Sequence, residues 1–98
     1  MRLVRWTVRA RTDLAAIRAF IAQDSPHYAR VMLARIIAAT DRLPNFPEWG
    51  RQVPEFSSPE IREVIRRPYR IVYRLVGADE IHILAVHHSA RELPSSLD

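Results

Sequence analysis

The sequence predicts an α+β fold in which a helical hairpin lies on one face of an antiparallel sheet, in the order βααβββ. Three observations carry this. Apolar residues recur at helical spacing twice, at Ala10, Leu14, Ile17 and Ile21 and again at Ala29, Met32 and Ile36. Only Asp24, Ser25 and Pro26 separate the two patterns, so the helices must turn back on each other. Three strand-like runs then fill residues 61–88, broken at Pro68 and at residues 77–79.

Residues 3–7, LVRWT, set Leu3, Arg5 and Thr7 against Val4 and Trp6, the alternation of a short first strand. Thr7 can then cap a helix, because its hydroxyl accepts an amide hydrogen that has no partner in the first turn. Phe20 is expected to widen the apolar stripe of this helix, while Arg9, Arg11, Arg18 and Gln23 fall towards solvent. Ser25 suits the N-cap of the second helix. Pro26 suits its first position, where a missing N–H loses nothing. That helix runs to about Arg42, with Leu43 continuing its buried face and Leu33 and Ile37 beside it.

Residues 44–60, PNFPEWGRQVPEFSSPE, hold four prolines, one glycine and three aromatics. A loop this long in a small domain is either functional and ordered by a partner, or a structured excursion whose Phe46, Trp49 and Phe56 cap the core edge. IREVIRR follows, alternating Ile61, Glu63 and Ile65 with Arg62, Val64 and Arg66. Pro68 ends it, since proline cannot donate to a sheet ladder. YRIVYRLV places Tyr69, Ile71, Tyr73 and Leu75 on one face and Arg70, Val72, Arg74 and Val76 on the other. EIHILAVHH is nearly continuously apolar, as in a central strand covered on both faces. The tail SARELPSSLD reads as a loose polar segment.

A two-helix layer covers only one sheet face. Tyr69, Ile71 and Tyr73 are expected beneath it, which sends Arg70 and Arg74 to an open face. With Arg62 and Arg66 on the neighbouring strand, that face is expected to be positive and concave.

The 98 residues form one domain, 1–98, and their 48% hydrophobic content supports a real core. The absence of cysteine excludes disulfides, thiolate chemistry and cysteine-ligated zinc. The chain opens without a signal-peptide pattern and has no run near the roughly 20 apolar residues of a membrane span, so a cytoplasmic protein with no membrane partner is expected. Net charge is +4, and all fifteen basic residues are arginine. Arginine suits bidentate contacts to phosphate or carboxylate. GC-rich coding produces the same bias, so charge alone does not define a nucleic-acid-binding protein.

The chain resembles the ParE/RelE superfamily of toxins from bacterial toxin–antitoxin pairs, and most closely its ParE branch. The resemblance runs almost end to end: W-T, A-R-T-D-L-A-A-I, F-I-A-Q-D-S-P, I-I-A-A-T-D-R-L-P-N-F-P-E-W-G-R, R-E-V with Y-R-I-V-Y-R, and I-H-I-L-A-V-H-H-S-A-R-E-L. Each piece is weak alone; their order and spacing are specific. The resemblance implies a growth inhibitor made with a cognate antitoxin, ParD-like with an acidic tail, in a hetero-oligomer. Its ParE branch implies DNA gyrase as the target, with no catalytic residues and no cofactor. Its RelE branch implies ribosome-dependent cleavage of messenger RNA. A non-toxic basic binding module is a further alternative.

Cleavage through the 2′-hydroxyl needs a base, an acid and cations around the phosphorane. Arg70 matches an arginine that RelE-like nucleases place there, and Glu63, His87, His88 and Arg91 complete the candidate set. Glu63 lies on the face opposite Arg62, which puts its reach to Arg70 in question. The His-Tyr pair of the most histidine-dependent relatives aligns with Ser89 and Ala90, neither a useful acid. Adjacent strand residues face opposite ways, so at most one of His87 and His88 can serve; for the same reason the pair cannot grip one metal. A glycine-rich phosphate loop and a serine-nucleophile motif are absent. The partner-binding reading instead uses Trp49, Arg51, Phe56, Arg62, Arg66, Arg70 and Arg74, with an acidic antitoxin tail folding over them.

Overall fold

The computed structural model describes residues 2–97. Strand β1 (Leu3–Trp6) leads into helices α1 (Val8–Ala22) and α2 (Pro26–Arg42), followed by strands β2 (Arg51–Gln52), β3 (Ile61–Arg66), β4 (Tyr69–Val76) and β5 (Glu80–His88). Both helix starts form as the sequence predicts. The Thr7 hydroxyl accepts from the Ala10 amide at 3.1 Å and donates to the Ile83 carbonyl at 2.8 Å, so one side chain ties the start of α1 to β5. The Ser25 hydroxyl accepts from the Tyr28 amide at 3.0 Å, with Pro26 next in line.

The five strands form one sheet in the order β1-β5-β4-β3-β2. The β2 to β5 pairings are antiparallel, but β1 runs parallel to β5, so the sheet is mixed. The two-residue β2 lies inside the stretch expected to be loop. Placing β5 centrally explains its apolar run, since both of its faces are covered. Past the end of β1, α1 takes over the edge: Asp13 Oδ2 accepts from the Val86 amide at 3.0 Å.

The helices cover one face of the sheet. Ala10, Ile17, Met32, Ile36, Ala39 and Leu43 pack there on Val64, Tyr69, Ile71, Tyr73, Ile81 and Ile83, which places the tyrosines as predicted. Phe20 does not widen the stripe; it is 68% exposed.

The other face is not open. Val53, Ile61, Val72, Leu84, Ala85, Leu93 and Leu97 form a second core there, with Phe56 packed against it. An irregularity in the β4–β5 register between Val72 and Tyr73 gives this face both Leu84 and Ala85. The expected loose tail therefore carries two buried leucines. Its polar composition hides them, because a single leucine every four residues gives no strand or helix period.

Candidate functional site

The face assignment of the arginines needs correction. Arg66 pairs with Tyr69 and Arg62 with Tyr73 across β3 and β4, while Arg70 pairs with Ile65 and Arg74 with Ile61. Cross-strand partners share a face. The turn between the strands holds two residues, so even-numbered β3 residues meet odd-numbered β4 residues. Arg62 and Arg66 consequently lie on the tyrosine side, and Glu63 joins Arg70 on the other. Glu63 therefore reaches Arg70 directly.

Arg70 is enclosed by carboxylates. Its Nε donates to Glu63 Oε1 at 2.7 Å, and its terminal nitrogens donate to the two Glu55 oxygens at 2.8 and 2.7 Å. Glu63 Oε2 accepts in turn from Arg51 Nε at 2.7 Å. The Glu63 side chain has no solvent exposure and that of Arg70 only 7%. Glu55 Oε2 also accepts from the Leu93 amide at 3.1 Å, and the Arg91 carbonyl lies 3.4 Å from Arg70. One guanidinium thus joins the sheet, the long loop and the tail.

The electrostatics follow from this contact. The Arg70 hydrogen bond, helped by the Leu93 amide, holds the Glu55 carboxyl down to about 2 against the opposing effect of burial. Glu55 first and Glu63 second push Arg70 well above its ordinary value. A carboxylate lowered on folding stabilises the folded state above its unfolded pKa and loses that contribution as pH falls through the folded one. We therefore expect stability to drop between about pH 5 and pH 2, with Glu55 contributing on the order of 2 kcal/mol of the drop. Glu55→Gln should remove that share, leaving a shallower acid limb in denaturation curves recorded from pH 7 to pH 2.

The remaining candidates divide between other places. His87 is the cross-strand neighbour of Arg70, and its Nε2–H donates to the Glu92 carbonyl at 3.1 Å. His88 turns to the helix side, edge-on to Tyr69 with ring centres 5.9 Å apart, and its Nδ1 accepts from the Ala90 amide. A cleft of about 400 Å³ opens there between α1 and the end of β5, bordered by Asp13, Phe20, Tyr69, His88 and Arg91. Burial, with a smaller contribution from Tyr28, raises the Tyr69 hydroxyl above its ordinary pKa. Arg74 is half-buried beside Phe56 and Leu97, with its Nε enclosed and unpartnered.

On the tyrosine side, the long loop is pinned by Tyr73. Its hydroxyl donates to the Pro47 carbonyl at 2.8 Å and accepts from the Gly50 amide at 2.9 Å, while Arg62 donates to the Gly50 carbonyl at 2.9 Å. The loop is a structured excursion in which Trp49 and Phe56 pack on the two cores and Phe46 stays 55% exposed. The Arg42 and Arg66 guanidiniums stand over the Trp49 ring at 4.5 and 5.1 Å from its centre. The sequence reading missed Glu55, Asp13 and Arg42. Only Arg42 had a local signal, as a cation in the last turn of a helix.

The sequence model of the ParE toxin of the type II toxin–antitoxin system parDE matches residues 4–93. The chain belongs to the ParE toxin family. This ParE-family toxin is 37% identical over 91 residues to Toxin RelE2 of Caulobacter vibrioides, covering 93% of this chain and 99% of that one. Its fold matches the chromosomal ParDE system from P. aeruginosa with a TM-score of 0.73 and 26% identity, over 90% of this chain and 96% of that one. It also matches the toxin–antitoxin complex RelBE2 from Mycobacterium tuberculosis, with a TM-score of 0.63 and 26% identity over 89% and 96% of the two chains. The α+β architecture derived above is the ParE/RelE toxin fold.

Proposed function

We propose that this toxin stops growth by binding DNA gyrase in the cytoplasm, without chemistry of its own, and is silenced by a cognate antitoxin with an acidic tail. One observation carries the choice of target. Arg70, the residue a RelE-like nuclease would aim at phosphate, is enclosed by Glu63 and Glu55, with the Arg91 carbonyl also at hydrogen-bond distance. A guanidinium saturated by two carboxylates offers little to a phosphorane. The antitoxin reading draws support from the two toxin–antitoxin systems whose toxins share this fold. It also draws support from large apolar side chains left exposed on the hairpin, among them Val8, Phe20, Tyr28 and Ile37.

A ribosome-dependent nuclease is the second reading. It is favoured by the kinship to a protein named RelE2 and by Arg70, Glu63 and His87 sharing one face. One paired assay separates the two. Purified toxin is given gyrase with supercoiled plasmid, and in parallel translating ribosomes programmed with messenger RNA. The expected result is trapped, cleaved plasmid and intact messenger; cleaved messenger with untouched plasmid would overturn the gyrase reading.

A further inference from the structure

Among the described residues, Arg42 and Arg66 differ from Arg5, Arg51 and Arg70 in having no carboxylate partner, and from Arg62 and Arg74, which share that lack, in standing over an aromatic ring. Arg70 and Arg51 are neutralised by Glu63 and Glu55, and Arg5 by Glu80. Among the described residues no carboxylate lies within ion-pair distance of Arg42 or Arg66, and the one side-chain hydrogen bond of the two runs from Arg66 to the Ile65 carbonyl. Cation–π contact with the Trp49 ring holds each guanidinium near the indole, and the Arg42 N–H groups have no hydrogen-bond partner among the described residues. Arg42 also stands over Phe46, with ring centre and guanidinium carbon 5.5 Å apart. The indole is itself held by the loop that Tyr73 anchors on both sides. Beside this stack, Arg42, Phe46, Pro47, Glu48 and Trp49 border a cleft of about 310 Å³.

We propose that this stack is a docking site for an acidic peptide segment in which a carboxylate neighbours an apolar side chain. The carboxylate pairs with Arg42 at the rim of the cleft, with Arg66 adding positive charge beside the indole, and the apolar side chain enters the cleft against Phe46 and Trp49. A cation already held against an aromatic ring loses less side-chain freedom when it pairs with an anion than a solvated arginine does. The apolar lining of Phe46, Pro47 and Trp49 suits a peptide side chain. The proposal rests on the reading of this toxin as a protein-binding one and adds the place and chemistry of a contact.

The protein carries two tryptophans, so Trp6→Phe leaves Trp49 as the sole indole reporter. A blocked peptide of alternating glutamate and leucine is titrated against this variant at physiological salt, beside the same peptide with glutamine for glutamate and a single-stranded oligonucleotide. The expected result is a saturable change in Trp49 emission, at least tenfold weaker binding of the glutamine peptide, and at least tenfold weaker binding of the glutamate peptide to Arg42→Gln. Arg42 is exposed at a helix end, so that variant keeps its fold; Arg66→Gln provides the second test. Equal affinity for the two peptides, unchanged binding by Arg42→Gln, or tighter binding of the oligonucleotide would each overturn the site. Failure here with plasmid cleavage intact removes the site and leaves the gyrase reading standing.

Discussion

Replacing Arg70 by alanine is expected to destabilise the fold by about 3–5 kcal/mol, the effect of breaking a buried ion pair and leaving a charge behind. Glu63 is fully enclosed and would keep only Arg51, whose side chain is 63% exposed. Glu55 would lose its main partner, and with it the link that draws the Leu93 amide onto the sheet. Against the 5–15 kcal/mol total typical of a domain, such a loss leaves a large unfolded fraction. Urea denaturation followed by far-UV circular dichroism measures it directly. Arg51→Ala is the control: it removes a mostly exposed partner of the same carboxylate and should cost about 1 kcal/mol or less. If Arg70→Ala unfolded no more readily than Arg51→Ala, the network would not be the staple described here.

This expectation changes how activity data on Arg70 should be read. Loss of toxicity in Arg70→Ala would follow from unfolding as well as from loss of a phosphate ligand. The informative quantity is activity per folded molecule. For a gyrase-binding toxin whose Arg70 stays under the tail, that quantity remains close to the parent value in the paired assay.

The second large effect is at Gly50. A Cβ built there would sit 2.6 Å from the Glu63 carbonyl oxygen and 2.8 Å from the Tyr73 ring and hydroxyl. The requirement is one of space, since Gly77 alone among the described residues has a positive φ, and it does so in the β4–β5 turn. Neither obstacle can move cheaply: one is backbone of β3, and the other is a buried ring hydrogen-bonded at both sides of its hydroxyl. Gly50→Ala should therefore cost about 2–3 kcal/mol, at the upper end of overpacking penalties. It should also free the Trp49 segment, visible as a red shift of Trp49 emission in the Trp6→Phe background. A variant with unchanged midpoint and emission would contradict the close approach of loop and sheet.

How legible the site was in the sequence depends on the residue. The side of Arg62 and Arg66 could have been read correctly, because a two-residue turn reverses the parity of cross-strand partners. Glu63 was visible as a buried-face residue of its strand, yet without the register its meeting with Arg70 was not. Glu55 lies 15 residues from Arg70 in a stretch without periodicity, and Leu93 lies 38 residues from Glu55. No spacing rule connects such positions. The Arg42–Trp49–Arg66 stack likewise needs a helix end, a loop and a strand to meet.

Sequence alone determined what short-range physics controls. Thr7 and Ser25 start the helices because their hydroxyls sit where unpaired amides begin. Three intervening residues force the hairpin, and alternation puts Tyr69, Ile71 and Tyr73 beneath it. Tertiary structure alone decided which face is closed and which charges are spent. A polar tail buries Leu93 and Leu97 against the second core, and Glu55 and Arg70 hold its start through the Leu93 amide and the Arg91 carbonyl. Arg70 becomes a structural cation because β3 brings Glu63 and the long loop brings Glu55 to its side of the sheet. On the other side the loop's indole meets Arg42 and Arg66, which have no carboxylate partner among the described residues.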